Sequence, residues 1–509
     1  MAAKTRTDAT SSTMASTLGM ATRLLHPGRL PRERPSYDRG MAIIGTETEY
    51  GILAPDEPAA DPEVLSAAVV DSYPGPGTPS LAETHNRVLG NGARLYVDHG
   101  HPEYSTPETT NAADATAHDL AGDAIVLRAA AEASRRLGVR LKLFKNNTDG
   151  KGSSYGFHEN YLLSRALEWE SIVDALPTFL VTRVVFTGAG RVGLGTHGDS
   201  AEYQLSQRAD FFERVSGLDT TANRGLVNTR DEPHARPSRW RRLHVIAGDA
   251  NRSPYATWLK LATASLSLAA LEAGFTPPGR LADPVAAFRT VSRDLSVRAA
   301  LPLVGGGTAS AIDLQRRHRD ACAAYLATAE FAEGDEVVRE WSEVLDDLDR
   351  DPASTADRLD WTAKLGLLEA VRERQGLAWD APRVAQLDLA WADLDASASP
   401  FSALERAGRL VRWIEPAAVA EAVAGPPTDT RAFARGHLVA NHPDAVVAAT
   451  WDSVHVRDSR GRIHNLRMSE PLGHARGSID VSATIDRLCA DWDAASAGRA
   501  AASDYTARS

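Results

Sequence analysis

Acidic side chains occupy alternate positions of a segment that otherwise reads as a β-strand, and this pattern limits the chain's possible folds more than any other. In Ala42-Ile43-Ile44-Gly45-Thr46-Glu47-Thr48-Glu49-Tyr50, Glu47 and Glu49 are two residues apart and so share one face of the strand. Two carboxylates held about 7 Å apart repel unless cations lie between them. The strand Arg94-Leu95-Tyr96-Val97-Asp98 repeats the pattern, with Arg94, Tyr96 and Asp98 on one face and Leu95 and Val97 on the other. Glu103 and Glu108 follow in His101-Pro102-Glu103-Tyr104-Ser105-Thr106-Pro107-Glu108. Carboxylates, a phenol and an arginine on adjacent strands suit a hard cation bridging phosphate oxygens, and Mg²⁺ binds in that way. The plain alternative is a solvated sheet face. Alternation with Ile43, Leu95 and Val97 favours a site. His158 and His244 fall in or beside further predicted strands, where structural and metal- or phosphate-binding roles both remain open.

At 509 residues the chain exceeds a single hydrophobic core. Residues 1–40 are rich in Ala, Thr, Ser, Arg and Pro and read as a leader, with order expected from Met41. One short helix is expected within 55–79, and an Ala-rich helix over Ala112 to Leu137. Strands are expected over Val139 to Phe144, Glu159 to Leu163 and Arg242 to Ile246, and a long helix over Tyr255 to Ala273. Segments 309–331, 335–349, 354–375 and 402–412 carry the helical period. Pro426-Pro427 marks a boundary, followed by a helix and a strand-like Ala448 to Arg457. No run of 18 apolar residues occurs, so no membrane span is expected. A net charge of −11 argues against non-specific nucleic-acid binding. Cys322 and Cys489 form no CxxC motif and fit a reducing cytoplasm.

Two familiar patterns fail on context. Gly188-Ala189-Gly190-Arg191-Val192-Gly193 matches GxGxxG, but the glycine-rich residues after it cannot open the required helix. Ala175 to Phe186 is expected to be helical, with Gly188 as its cap. Gly152-Ser153-Ser154-Tyr155-Gly156 matches GxSxG, but an extended segment follows it where a nucleophile elbow needs a helix.

Longer motifs carry a resemblance. Gly45 to Gly51, Asn91 to Asp98, His101 to Tyr104, Lys145 to Asp149, His158 to Tyr161, Asn228 to His234 and Arg241 to Asp249 resemble the Pup ligase and Pup deamidase/depupylase family, from about residue 41 to 495. The resemblance implies an α+β fold like that of glutamine synthetase, a carboxylate–amine ligase. Its curved antiparallel sheet would be backed by helices in a catalytic domain over 41–425. A small α+β domain over 426–495 and a tail over 496–509 would follow. It further implies ATP and Mg²⁺ as cofactors and Pup and pupylated proteins as partners. Glu47, Glu49, Tyr96, Glu103, His158 and His244 match magnesium positions. Arg94, Ser105, Thr106, Asn160, Arg242 and Trp451 match nucleotide contacts, and Asp98 matches the catalytic aspartate.

The family's branches run opposite reactions, ligation of Pup to lysine and deamidation or removal of Pup. Gly-Thr-Glu-Thr-Glu-Tyr, Asp98-His99-Gly100-His101 and Gly190-Arg191-Val192-Gly193 resemble the deamidase branch, whereas the short Ile52–Gly90 segment is closer to the ligases in length. The resemblance leaves open whether Asp98 attacks the carboxamide carbon or activates water. Rival readings are a Pup ligase, a glutamine synthetase-type small-molecule ligase and a nucleotide-binding protein without chemistry. Arg230, Arg236, Arg239, Arg241 and Arg242 form either a solvated turn or a surface for an acidic partner.

Overall fold

The computed structural model describes residues 42–80, 84–219, 223–458 and 460–477. The expected leader 1–40, Met41, Cys489, the end of the 426–495 segment and the tail 496–509 lie outside the described residues.

The alternating strands join into one nine-stranded sheet. In spatial order its strands are Arg214–Gly217, Gly225–Asn228, Trp240–Gly248, Phe157–Ser164, Ile43–Glu49, His101–Ser105, Arg94–Asp98, Asn86–Leu89 and Gly77–Pro79. Neighbours are antiparallel except the first two, so the sheet is mixed and not purely antiparallel as expected. The short Lys142–Phe144 strand pairs with Gly51–Leu53 outside this sheet.

The two faces separate by chemistry. On one, Ile44, Tyr161, Leu163, Leu243 and Val245 join a large core with residues of the Pro254–Glu272 helix. Leu95 and Tyr104 pack with Ile125, Val126 and Ala129 of the Ala112–Leu137 helix. That helix has both ends specified in sequence. Asn111 caps its start by accepting from the amide of Asp114, and Gly138, at φ 70°, ends it after Arg135 and Arg136. Gly122 lets the helix close on the sheet, because a Cβ there would overlap the ring of Tyr104.

Beneath the strand bearing Glu47 and Glu49 lies a buried charge cluster. Lys145 Nζ is 2.7 Å from Asp119 and 3.1 Å from Asp123, both on the Ala112–Leu137 helix. Thr48 donates to Asp119 and Tyr50 to Asp123, so the core-facing residues of the acidic strand are tied to that helix.

After residue 426, the Ala432–Asn441 helix and a three-stranded sheet, Val446–Ala449, Ser453–Arg457 and Ile463–Arg467, share a core that includes Val88 of the main sheet. The expected single strand Ala448 to Arg457 is therefore a hairpin, with Trp451 in its turn. Glu108 joins this part to the main sheet by ion pairs with Arg431 and Arg435, where the sequence grouped it with the other acids. Burial alone would raise the Glu108 carboxyl, but Arg435 and Arg431 outweigh it and hold the group at about 2. Its stabilising effect is therefore complete above the ordinary carboxyl range and is lost as pH falls through about 2. Glu108→Gln leaves two buried guanidinium groups without their carboxylate and should cost about 3–5 kcal/mol at neutral pH. Denaturant unfolding at stepped pH should show that difference shrinking toward pH 2.

Other boundaries moved. The 309–331 helix ends at Leu326, 354–375 splits into a short turn over Pro352–Thr355 and a helix over Asp360–Gln375, and 402–412 becomes Pro400–Arg406. No described helix is long and apolar enough to cross a membrane.

Candidate active site

Strand register gathers the predicted residues on the sheet's other face. Glu49 lies opposite Glu103, Glu47 lies opposite both Ser105 and His158, and Tyr96 lies opposite Glu103. Asn160 lies opposite Gly45 and His244, and Arg94 opposite Ser105. Directly opposed residues in a ladder point to the same side.

Two clusters form there. In the first, Glu47 Oε2 is 3.1 Å from His158 Nδ1 and 3.5 Å from His244 Nε2, while Glu47 Oε1 accepts from Asn160 at 3.0 Å. Neither ring nitrogen of His244 has a hydrogen-bond partner among the described residues, although the residue is buried. A buried imidazole that makes no hydrogen bond and has only a carboxylate at 3.5 Å fits a cation's donor set. In the second, Glu49, Asp98 and Glu103 each present a carboxylate oxygen within 4.8 Å of the other two. The Tyr96 hydroxyl donates to Glu103 and lies 3.2 Å from Ser105 Oγ.

The electrostatics of the clusters differ. Burial would raise the Glu47 carboxyl, but His158 and His244 bring it well below the usual range. Burial raises Glu103 well above that range, and Glu49, Glu47 and Asp98 push it further. Burial likewise raises Glu49, against the pull of His158. Three acids held this close, offset mainly by imidazoles and the more distant Arg208, are a poor arrangement for an empty protein and a good one for divalent cations.

Beyond the first cluster the same face opens into a cavity lined by Gly45, Thr106, Asn160, Arg242 and Trp451, among others. Four of the six expected nucleotide contacts line it. Arg94 reaches its edge, with its guanidinium 5.4 Å from the Trp451 ring. Ser105 lies deeper, beside Tyr96. Arg242 donates to Asn160 at 3.1 Å. The site thus runs from an apolar, aromatic-edged cavity to a set of carboxylates, as a nucleotide with metal-bridged phosphates requires.

The rejected motifs have other uses. Gly156 passes so close to the site that a Cβ there would lie 2.6 Å from Glu49 Oε1, and its carbonyl accepts from the Glu49 amide. The loop before it leads into the Phe157–Ser164 strand, so no nucleophile elbow forms. After Gly190, at φ 70°, comes a strand, Arg191–Leu194, in place of the helix a dinucleotide site needs. Helices over Trp169–Thr182 and Val184–Thr187 replace the single Ala175–Phe186 helix, and Gly188 ends them in an extended conformation.

The arginine-rich segment is paired. Arg236 and Arg239 lie 2.9 Å and 3.2 Å from Glu470, Arg230 bridges to Glu232, and Arg241 faces Asp231. Sequence reasoning missed Arg208, a buried guanidinium donating to the carbonyl of Ile246 and acting electrostatically on Glu49. No local pattern marked it, because its neighbours come from strands distant in sequence.

The family model described as Pup-ligase protein matches residues 42–455. The chain is 42% identical over 489 residues to the Pup deamidase/depupylase of Mycolicibacterium smegmatis, covering 88% of this chain and 97% of that one. It is 41% identical to the depupylase of Acidothermus cellulolyticus, over 86% and 95% of the two chains. To the Pup–protein ligase of Micrococcus luteus the identity is 39%, over 87% and 98%. The crystal structure of the complex between Pup and its ligase PafA superposes with a TM-score of 0.78 at 31% identity, covering 88% of this chain and 92% of that chain. PafA in complex with ADP gives 0.72 at 33% identity, over 79% and 90%.

Proposed function

The chain belongs to the Pup-ligase protein family, and from that premise we propose that it is a Pup deamidase and depupylase working with Mg-ATP bound in the cytoplasm. It converts the C-terminal glutamine of Pup to glutamate and hydrolyses the isopeptide bond between Pup and a substrate lysine. The observation that carries this reading is Asp98, held among Glu49 and Glu103 at the end of a strand whose other site-facing residues are Tyr96 and Arg94. Both reactions replace a nitrogen on the same side-chain acyl carbon by water's oxygen, so one site serves both. Relatives named deamidase/depupylase at 41–42% identity favour hydrolysis over the ligase reading, whose named relatives lie at 39–40%.

The residues divide the work. Glu47, His158 and His244 would hold one magnesium position, and Glu49, Tyr96 and Glu103 another. Arg94, Ser105, Thr106, Asn160, Arg242 and Trp451 would hold the nucleotide. The magnesium of bound Mg-ATP would supply divalent positive charge against the acidic cluster. Asp98 either attacks the carboxamide carbon or takes a proton from an attacking water. Arg94, which donates to Asn86 at 3.3 Å, would offer its guanidinium to the negative charge of the phosphates. The plan depends on electrostatic stabilisation of the tetrahedral intermediate, because a carboxylate is a weak nucleophile.

A depupylation assay on a purified Pup–lysine conjugate tests this reading. Free Pup should appear with Mg-ATP and fail to appear with chelator. Glu49→Ala should remove most of the stabilisation that Mg-ATP gives, about 2.7 kcal/mol for wild type at a hundredfold excess over Kd. An unchanged thermal shift would remove Glu49 from the metal set.

A further inference from the structure

The hydrolysis proposed above must expel an amine, and an amine leaves an acyl carbon badly unless it is protonated. Asp98 can take or displace a proton but cannot supply one to the departing nitrogen. Few groups nearby can. Glu103 already accepts from Tyr96 and is buried. His101 is stacked on Tyr155 with ring centroids 4.3 Å apart, and burial lowers its basicity.

His99 has the required placement. It sits at the tip of the hairpin joining Arg94–Asp98 to His101–Ser105, in a left-handed conformation at φ 45°, with Gly100 at φ 80° after it. Its Nδ1 lies 2.9 Å from Asp98 Oδ1, and its side chain is 64% exposed. Nε2 has no partner among the described residues. The ionisable groups around the ring are Asp98, Glu49, His101 and Glu63, the last on the Pro62–Asp71 helix packed against this hairpin. The residue is thus fixed to the catalytic carboxylate through one nitrogen and open to solvent, and to an entering substrate, through the other.

We propose that His99 is the general acid of the reaction, giving its Nε2 proton to the nitrogen that leaves. This rests on the hydrolytic reading above. A C–O bond forms at the carboxamide carbon, and the C–N bond breaks. The nitrogen departs with its electron pair and the proton from Nε2, as ammonia from glutamine or as the lysine amine. Water provides the new oxygen, and the ring regains its proton from solvent. Whether Asp98 attacks directly or activates water, the nitrogen needs the same proton.

The test varies the leaving group. His99→Asn tolerates the left-handed backbone and should lower kcat on the Pup–lysine conjugate by about 10²-fold or more. Its KM and the Mg-ATP thermal shift should stay at wild-type values, which also verifies folding. On Pup ending in a γ-glutamyl nitroanilide, whose weakly basic amine leaves unprotonated, the loss should be under about fivefold, because the step His99 assists no longer limits. Added imidazole should restore part of the lysine-conjugate rate. Equal losses on both substrates, or no loss on the conjugate, would overturn the proposal while leaving the hydrolytic function standing. A wild-type protein inactive on every Pup substrate would overturn that function, and the role of His99 with it.

Discussion

Asp98→Asn should lower deamidation and depupylation by at least about 10²-fold, and by up to about 10⁴-fold if Asp98 acts as the base, while leaving nucleotide binding in place. The substitution preserves shape and removes only the negative charge and basicity of one oxygen. Asp98 lies at the outer end of its strand, half-exposed and beside His99, whereas the cavity lined by Thr106, Asn160, Arg242 and Trp451 lies toward the start of Ile43–Glu49. Chemistry and nucleotide binding therefore separate along the sheet. The measurement is a pair: turnover on glutamine-ended Pup, and the melting-temperature rise with Mg-ATP. Wild-type turnover would remove Asp98 from its role. Loss of the thermal shift along with turnover would make Asp98 part of the nucleotide site.

Lys145→Met should destabilise the fold by about 3–5 kcal/mol, a large part of the 5–15 kcal/mol typical of a folded domain. Lys145 and Asp119 are fully buried, and Asp123 is largely so. Burial opposes the charged ammonium, but Asp119 and Asp123 overcome that opposition and hold Lys145 charged. Removing it leaves two carboxylates, one helical turn apart, facing each other in the core. The variant Lys145→Met/Asp119→Asn, which removes one of them, should recover part of the loss, and a double-mutant cycle isolates that coupling. Denaturant unfolding would count against the account if Lys145→Met stayed within about 1 kcal/mol of wild type. Thr48 and Tyr50 connect this cluster to the strand bearing Glu47 and Glu49, so active-site geometry and core stability share one support.

What could be seen in the sequence was what is local. The Arg94–Asp98 strand and the Ala112–Leu137 helix begin and end where alternation, Asn111 and Gly138 place them. Because alternation sets a face, Glu47, Glu49, Tyr96, Asp98, Glu103, His158 and His244 all arrive on one side of the sheet. Three helices went unread, Pro284–Arg293, Pro382–Trp391 and Pro416–Ala424, though each opens on a proline at its first position, a usable start signal. Contacts made across the chain were out of reach. Glu108 reads like its neighbours until Arg431 and Arg435, more than 300 residues away, claim it. The same holds for Arg236 and Arg239, whose partner Glu470 lies in the C-terminal part. Lys145 stood out only as part of a family motif, and its burial depends on a helix and a strand that the sequence does not visibly bring together.

The most direct test of the hydrolytic reading is the mass of glutamine-ended Pup after incubation with the protein and Mg-ATP, alongside glutamate-ended Pup with a lysine-bearing target. The account predicts that glutamine-ended Pup gains the mass of exchanging an amino group for a hydroxyl, and that a preformed Pup–lysine conjugate is cleaved to free Pup. Unchanged glutamine-ended Pup together with new conjugate formed from glutamate-ended Pup would contradict it and make the protein a ligase.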